Sequence, residues 1–156
     1  MKRLFIASLM AILLMAFSAC REQWPYYHEY QSVNSNAWFT NDKAELHVPA
    51  LPSDTTLNMA VCLRNTQDYP YQHIFINLTM KDDTTKQSIK ALSLKLPVFD
   101  DNGLPLGKGF PFMETEYDIE GQPVHLKKGH TYTIHIWHDM HNTTIAGISD
   151  IGIKLY

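Results

Sequence analysis

Apolar side chains recur at every second position in one stretch of this chain after another, and that period constrains the fold more than any other feature. Leu57, Met59, Val61 and Leu63 alternate with Asn58, Ala60, Cys62 and Arg64. Ile74, Ile76, Leu78 and Met80 alternate with His73, Phe75, Asn77 and Thr79, and Tyr132, Ile134 and Ile136 with Thr131, Thr133 and His135. Ile151, Ile153 and Leu155 repeat the pattern at the end. Successive side chains of a β-strand point to opposite faces, so each run presents one apolar face to a core and one polar face to water. Residues 43–48 and 89–96, and the stretch before Trp38, read as further strands. No segment carries a sustained helical stripe.

Turn chemistry separates the runs. Pro49, Pro52 and Ser53-Asp54 make one break, Asp68-Tyr69-Pro70-Tyr71 another, and Asp82-Asp83, Asp100-Asp101-Asn102-Gly103, Gly121-Gln122-Pro123 and Lys127-Lys128-Gly129 follow. Strands at this spacing predict an all-β fold, a single antiparallel, jelly-roll-like β-sandwich of about seven to nine strands. Residues 97–123 form a long loop rich in Gly and Pro. Loops of that length are often functional, and this one has room for a short strand.

The first twenty residues belong to a different device. Met1-Lys2-Arg3 is followed by an apolar run from Leu4 to Phe17, broken only by Ser8, and then by Ser18-Ala19-Cys20. Two positive charges before a short apolar core form a secretory signal. The run is shorter than the roughly 20 residues that span a bilayer. Phe17-Ser18-Ala19-Cys20 resembles a lipobox, in which the Cys thiol takes a diacylglyceryl group and cleavage frees its amine. The expected organisation is therefore a signal peptide at 1–19, a lipid-anchored tether at 20–29 beginning with Cys20, and a β-sandwich domain at 30–156. Each buried chain CH₂ contributes about 0.8 kcal/mol, and two or more acyl chains hold a protein on a membrane stably. Arg21 follows Cys20 in place of the acidic residue associated with inner-membrane retention, which favours the outer membrane.

Removing residues 1–19 takes away two of the 13 basic residues and none of the 16 acidic ones, so the remaining chain is acidic. That excludes the basic footprint a nucleic-acid partner needs. There are two cysteines. With Cys20 in a thioether, Cys62 has no partner in the chain, which excludes a disulfide scaffold and makes Cys62 a small buried residue.

Chemical motifs are sparse. His125, His130, His135, His138 and His141 crowd the C-terminal third, but residues three apart on a strand point to opposite faces, so no metal site is expected from them. The glycines of 103–109 have neither the spacing nor the Ser or Thr of a phosphate loop. No nucleophile elbow or His-Glu-x-x-His is present, so neither catalysis nor a cofactor is expected. Asp54-Thr55-Thr56 and Asp83-Thr84-Thr85 resemble the O-glycosylation motif of some gliding Gram-negative bacteria, which nominates Thr55 and Thr84. Trp38 and Trp137 read as core or core-edge residues, against the alternative of an aromatic sugar-binding face.

Three groups of residues together resemble the GldH family of gliding-motility lipoproteins. They are Leu63-Arg64-Asn65 with Tyr69-Pro70-Tyr71 and His73-Ile74-Phe75-Ile76; Gly103 with Leu106-Gly107-Lys108-Gly109; and residues 145–153, Ile-Ala-Gly-Ile-Ser-Asp-Ile-Gly-Ile. The resemblance implies a non-enzymatic envelope lipoprotein of the gliding and associated secretion machinery, with envelope proteins as partners. A cell-surface carbohydrate-binding lipoprotein is the alternative. The contact surface is expected at the turn of Tyr69 and Tyr71 or at the loop carrying Leu106, Lys108 and Phe110.

Overall fold

The computed structural model describes residues 26–156. The signal at 1–19, Cys20, Trp24 and most of the expected tether lie outside the described residues. In chain order the strands are β1 (Tyr27–Ser32), β2 (Trp38–Phe39), β3 (Ala44–Val48), β4 (Thr55–Leu57), β5 (Met59–Asn65) and β6 (His73–Asp82). They continue with β7 (Ser88–Pro97), β8 (Met113–Asp118), β9 (Val124–Leu126), β10 (Tyr132–His138), β11 (Thr144–Ile145) and β12 (Ile148–Leu155).

Eight longer strands form two four-stranded antiparallel sheets, β1-β12-β5-β8 and β3-β10-β6-β7. The first strand pairs with the last, and apart from the β6-β7 hairpin the longer strands alternate between the sheets, in the order of a jelly roll. The short pairs β11-β2 and β4-β9 close the flanks. The all-β sandwich expected from the period-two pattern is thus the observed fold. Strand β8 lies within the long loop, and β1 begins at Tyr27, so the last three residues assigned to the tether belong to a sheet. Tyr27 is buried and pairs with Leu155, which is why the chain is already fixed there.

The core lies between the sheets. Met59, Val61, Leu63, Ile151, Ile153 and Leu155 from one sheet meet Ile74, Ile76, Leu78, Met80, Ile134 and Ile136 from the other, each at most 1% exposed. Full burial of one such side chain contributes about 1.5–3 kcal/mol. Trp38 is wholly buried beside them, its indole N–H donating to the Asp42 carbonyl at 2.7 Å.

Strand β5 departs from simple alternation, because Ala60 and Cys62 on its outer face are also fully buried. The strand register explains the cover. Across the outer face one row reads Tyr30, Gly152, Cys62, Glu116, and the next reads Ser32, Asp150, Arg64, Glu114. Gly152 contributes no side chain, so the Tyr30 ring lies across β12. There the Arg64 guanidinium sits 3.8 Å from the ring centroid, and the Tyr30 hydroxyl donates to Glu114 at 2.9 Å. Arg64 completes the group with a bond to Glu114 at 3.0 Å. Burial, then the Glu114 and Cys62 side chains, push the Tyr30 hydroxyl pKa upward, so it remains a donor.

The connections sort to the two ends of the sandwich. Tyr27, Leu155, Met59 and Asp118 lie at the end where the described chain begins. Ser32, Ile148, Asn65 and Met113 lie at the other, together with His73 and Pro97 of the second sheet.

Candidate functional site

The far end of the sandwich carries the features that a binding surface needs. Between β7 and β8 the chain does not wander. Asp100 accepts the amides of Asn102 and Leu104 on its Oδ1 at 2.9 and 2.8 Å, fixing a tight turn that ends at Gly103, whose φ is +77°. The Leu106 N–H then bonds Val98 O, and Lys108 and Glu114 exchange backbone hydrogen bonds at 3.0 and 2.8 Å. Gly107 allows this fold-back, since a Cβ there would stand 2.7 Å from Thr115 Oγ1. The resulting ordered projection exposes Leu104 (62%), Leu106 (45%), Phe110 (84%) and Phe112 (45%). Four large apolar side chains are thus exposed within one loop, a concentration that makes it a candidate contact surface.

Beside the projection is an open cleft of about 460 Å³, lined by Tyr69, Pro70, Tyr71 and Gln72 on one side and by Phe99, Asp100, Asp101 and Gly103 on the other. Gln72 Nε2 ties the two walls together, bonding Asp100 O at 3.3 Å and Asp101 Oδ1 at 3.2 Å. Tyr71 packs edge-on against Tyr69 at 5.6 Å and accepts a bond from Asn142 Nδ2 at 2.6 Å. Underneath, Gly147 lies against the Tyr69 backbone, where a Cβ would meet Tyr69 Cα at 2.7 Å. The Gly147 carbonyl accepts from Thr66 N–H at 2.8 Å. Two of the sequence stretches that carried the family resemblance therefore meet here.

The expected contact residues separate on inspection. Leu106, Lys108 and Phe110 are exposed as a contact surface requires. Tyr71 is half-buried at the cleft wall. Tyr69 is not available to a partner: it is 3% exposed, and its hydroxyl donates to His73 O at 3.0 Å. Burial first, then the neighbouring Tyr71 and Tyr117, push its pKa upward. An aromatic in a turn looks exposed in sequence, yet here the turn folds its ring inward. Phe112 closes the expected contact loop, while Leu104 and Asp101 lie beside it and outside the expected residues. Their signal was the alternation of Leu, Pro, Gly and Phe within the loop.

Thr84 is exposed in the turn after β6, and Thr55 is half-buried in β4 with its hydroxyl donating to Ser53 O at 3.1 Å. Four of the five C-terminal histidines have separate duties. His125 bonds Thr56 and His135 bonds Glu45. His130 pairs with Asp82 at 2.7 Å, and His138 bonds Trp38 O at 3.1 Å. Burial lowers the His138 pKa, opposed by the Trp38 carbonyl, so the ring is held neutral with Nε2 as donor. For sugar binding, Trp38 is buried, and the Trp137 ring is covered by Lys43 at 4.4 Å. Among the described residues these two tryptophans form no open platform.

Several known proteins resemble the chain. The gliding motility lipoprotein GldH of Flavobacterium johnsoniae is 27% identical over 96% of this chain and 93% of that protein. Among solved structures, the Cry4Aa toxin of Bacillus thuringiensis aligns with 81% of the chain at 12% identity and a TM-score of 0.47, the chain spanning 21% of the toxin's length. A family 35 carbohydrate-binding module from Clostridium thermocellum aligns at 12% identity and a TM-score of 0.39, over 81% of this chain and 89% of the module. The family model for the GldH lipoprotein matches residues 25–155, and the chain belongs to that family.

Proposed function

We propose that this protein is a non-catalytic, lipid-anchored component of the gliding and associated secretion machinery, held by Cys20 in the outer membrane. It presents the projection at 104–112 and the adjoining cleft to another envelope protein. The observation that carries this reading is the placement of the apolar projection at the opposite end of the sandwich from Tyr27, where the described chain begins. A lipid on Cys20 holds the first end near the bilayer and leaves the second facing away from it. Exposed Phe and Leu side chains there have a protein, and not the anchoring membrane, within reach. The cleft beside them supplies acidic and amide groups from Asp101 and Gln72 for a polar rim, the arrangement typical of protein interfaces.

Crosslinking in membranes of the native organism, followed by pull-down, tests the proposal. Wild-type protein should recover gliding or secretion components, and Phe110→Glu should lose them while melting at the same temperature. Recovery of none, with normal secretion and motility in a deletion strain, overturns the reading. The carbohydrate-binding alternative draws no support from Trp38 or Trp137.

A further inference from the structure

On the outer face of the β1-β12-β5-β8 sheet, three side chains of different chemistry converge from three strands. His28 of β1, Cys62 of β5 and Glu116 of β8 place one ligand atom each within 4.8 Å of one another. Strands β1 and β5 are not neighbours. With β12 between them their backbones run roughly 10 Å apart, and the two side chains meet on a diagonal: His28 stands opposite Lys154 and Cys62 opposite Gly152, which brings no side chain of its own. Cys62 Sγ and His28 Nε2 approach to 3.6 Å.

That distance is a thiol–imidazole hydrogen bond, and it is also the separation two zinc ligands would take. Zinc binds thiolate at about 2.3 Å and imidazole at about 2.0–2.1 Å, and a tetrahedral angle between them separates S from N by about 3.6 Å. Thiolate, imidazole and carboxylate are also the three side-chain types that zinc takes. His28 and Glu116 are exposed, so an ion reaches the site from solvent, while Cys62 forms its floor. Lys154 donates to Glu116 Oε2 at 2.7 Å, which orients the carboxylate and leaves it further lone pairs. Around the cluster the carboxylates of Glu114, Glu116, Asp118 and Asp150 outnumber the cations Arg64 and Lys154, which favours a divalent ion.

We propose that His28, Cys62 and Glu116 form a zinc site with one open coordination position, fastening β1 to β5 and β8 across the sheet. Strand β1 hydrogen-bonds only to β12 within its sheet, and it is the strand on which any pull from the N-terminal side acts. Burial and then the Glu116 charge push the Cys62 thiol pKa up to about 12, so the free site holds a protonated thiol. Binding replaces that S–H bond with an S–Zn bond and releases the proton to solvent.

The test uses the full-length chain, expressed with its own N-terminal segment, purified from membranes in detergent and stripped with a chelator. Cobalt(II) should bind one to one and produce a thiolate-to-cobalt charge-transfer band, which Cys62→Ala abolishes. Zinc competition against a chromogenic chelator should show about tenfold or greater weakening in both His28→Ala and Glu116→Gln. Circular dichroism checks that these variants remain folded, as expected for exposed residues. Zinc should raise the melting temperature of the wild type and not of His28→Ala. Absence of the band in folded wild type, or its survival in Cys62→Ala, overturns the proposal. So does zinc affinity that falls with His135→Ala, beside Glu45 and His47, and not with His28→Ala.

Discussion

The Tyr30 ring occupies the space that a side chain on Gly152 would need: a Cβ there would stand 2.8 Å from Tyr30 Cδ1 and would run into Glu29 O. The second contact is with backbone, so the strand itself would have to shift. Gly152→Val should cost about 1–3 kcal/mol, in the range of overpacked sites, and lower the melting temperature by about 2–4 °C per kcal/mol. Gly152→Ala should cost less but still move Tyr30 off Arg64. Thermal denaturation followed by circular dichroism measures both.

Gly147 is constrained twice over. Its φ is +89°, and a Cβ would meet both Cα and N of Tyr69 within 2.8 Å. A left-handed conformation costs a non-glycine residue about 1–3 kcal/mol, and the clash adds to it. Gly147→Ala should therefore destabilise more than Gly103→Ala, where a Cβ meets nothing within 4 Å though φ is also positive. Comparing the two melting temperatures isolates the packing of residues 145–148 beneath the cleft.

Asp82 sets a pH dependence. Burial raises its pKa, but the His130 bond and the amides of Thr84 and Thr85 outweigh that and bring it down to about 2. An unfolded aspartate titrates higher, so the ionised form favours the fold. The contribution, about 2 kcal/mol for a shift of this size, is complete above about pH 4 and disappears as the pH falls towards 2. Asp82→Asn should lose it at neutral pH, and the difference from wild type should close in acid. Urea denaturation at pH 7 gives the full difference, which should be clearly reduced at pH 2.5.

Phe110 gives the opposite expectation. At 84% exposure it contributes little to the fold, so Phe110→Ala should change stability by less than about 0.5 kcal/mol. Ile134→Ala in the core should cost about 2–5 kcal/mol. If Phe110→Ala is nearly as costly, the projection is a packing element and not a presented surface.

The period-two pattern made the principal inter-sheet strands legible, because each buries one face. It says less where both faces are covered: Ala60 and Cys62 fall on the polar side of the alternation and are both fully buried, and only for Cys62 did its chemistry point to burial. Strand β8 was hidden because Met113–Asp118 carries Glu114, Glu116 and Asp118 on its outward face and little apolar repeat. The loop's exposure at Leu106 and Phe110 was readable from its Gly and Pro content. The inward turn of Tyr69 was not, since it depends on Gly147, 78 positions away in the numbering. The meeting of His28, Cys62 and Glu116 likewise depends on strand order, which no local pattern records.

The two-ended layout sets a working distance. An eight-residue strand such as β12 is about 26 Å long, and the seven residue steps from Cys20 to Tyr27 add at most about 25 Å when extended. Under the proposed attachment through Cys20, the sandwich would be a spacer whose apolar tip rides up to about 50 Å from its attachment point. Lengthening or shortening the segment before Tyr27 then changes which neighbours the tip can meet, without touching the tip itself.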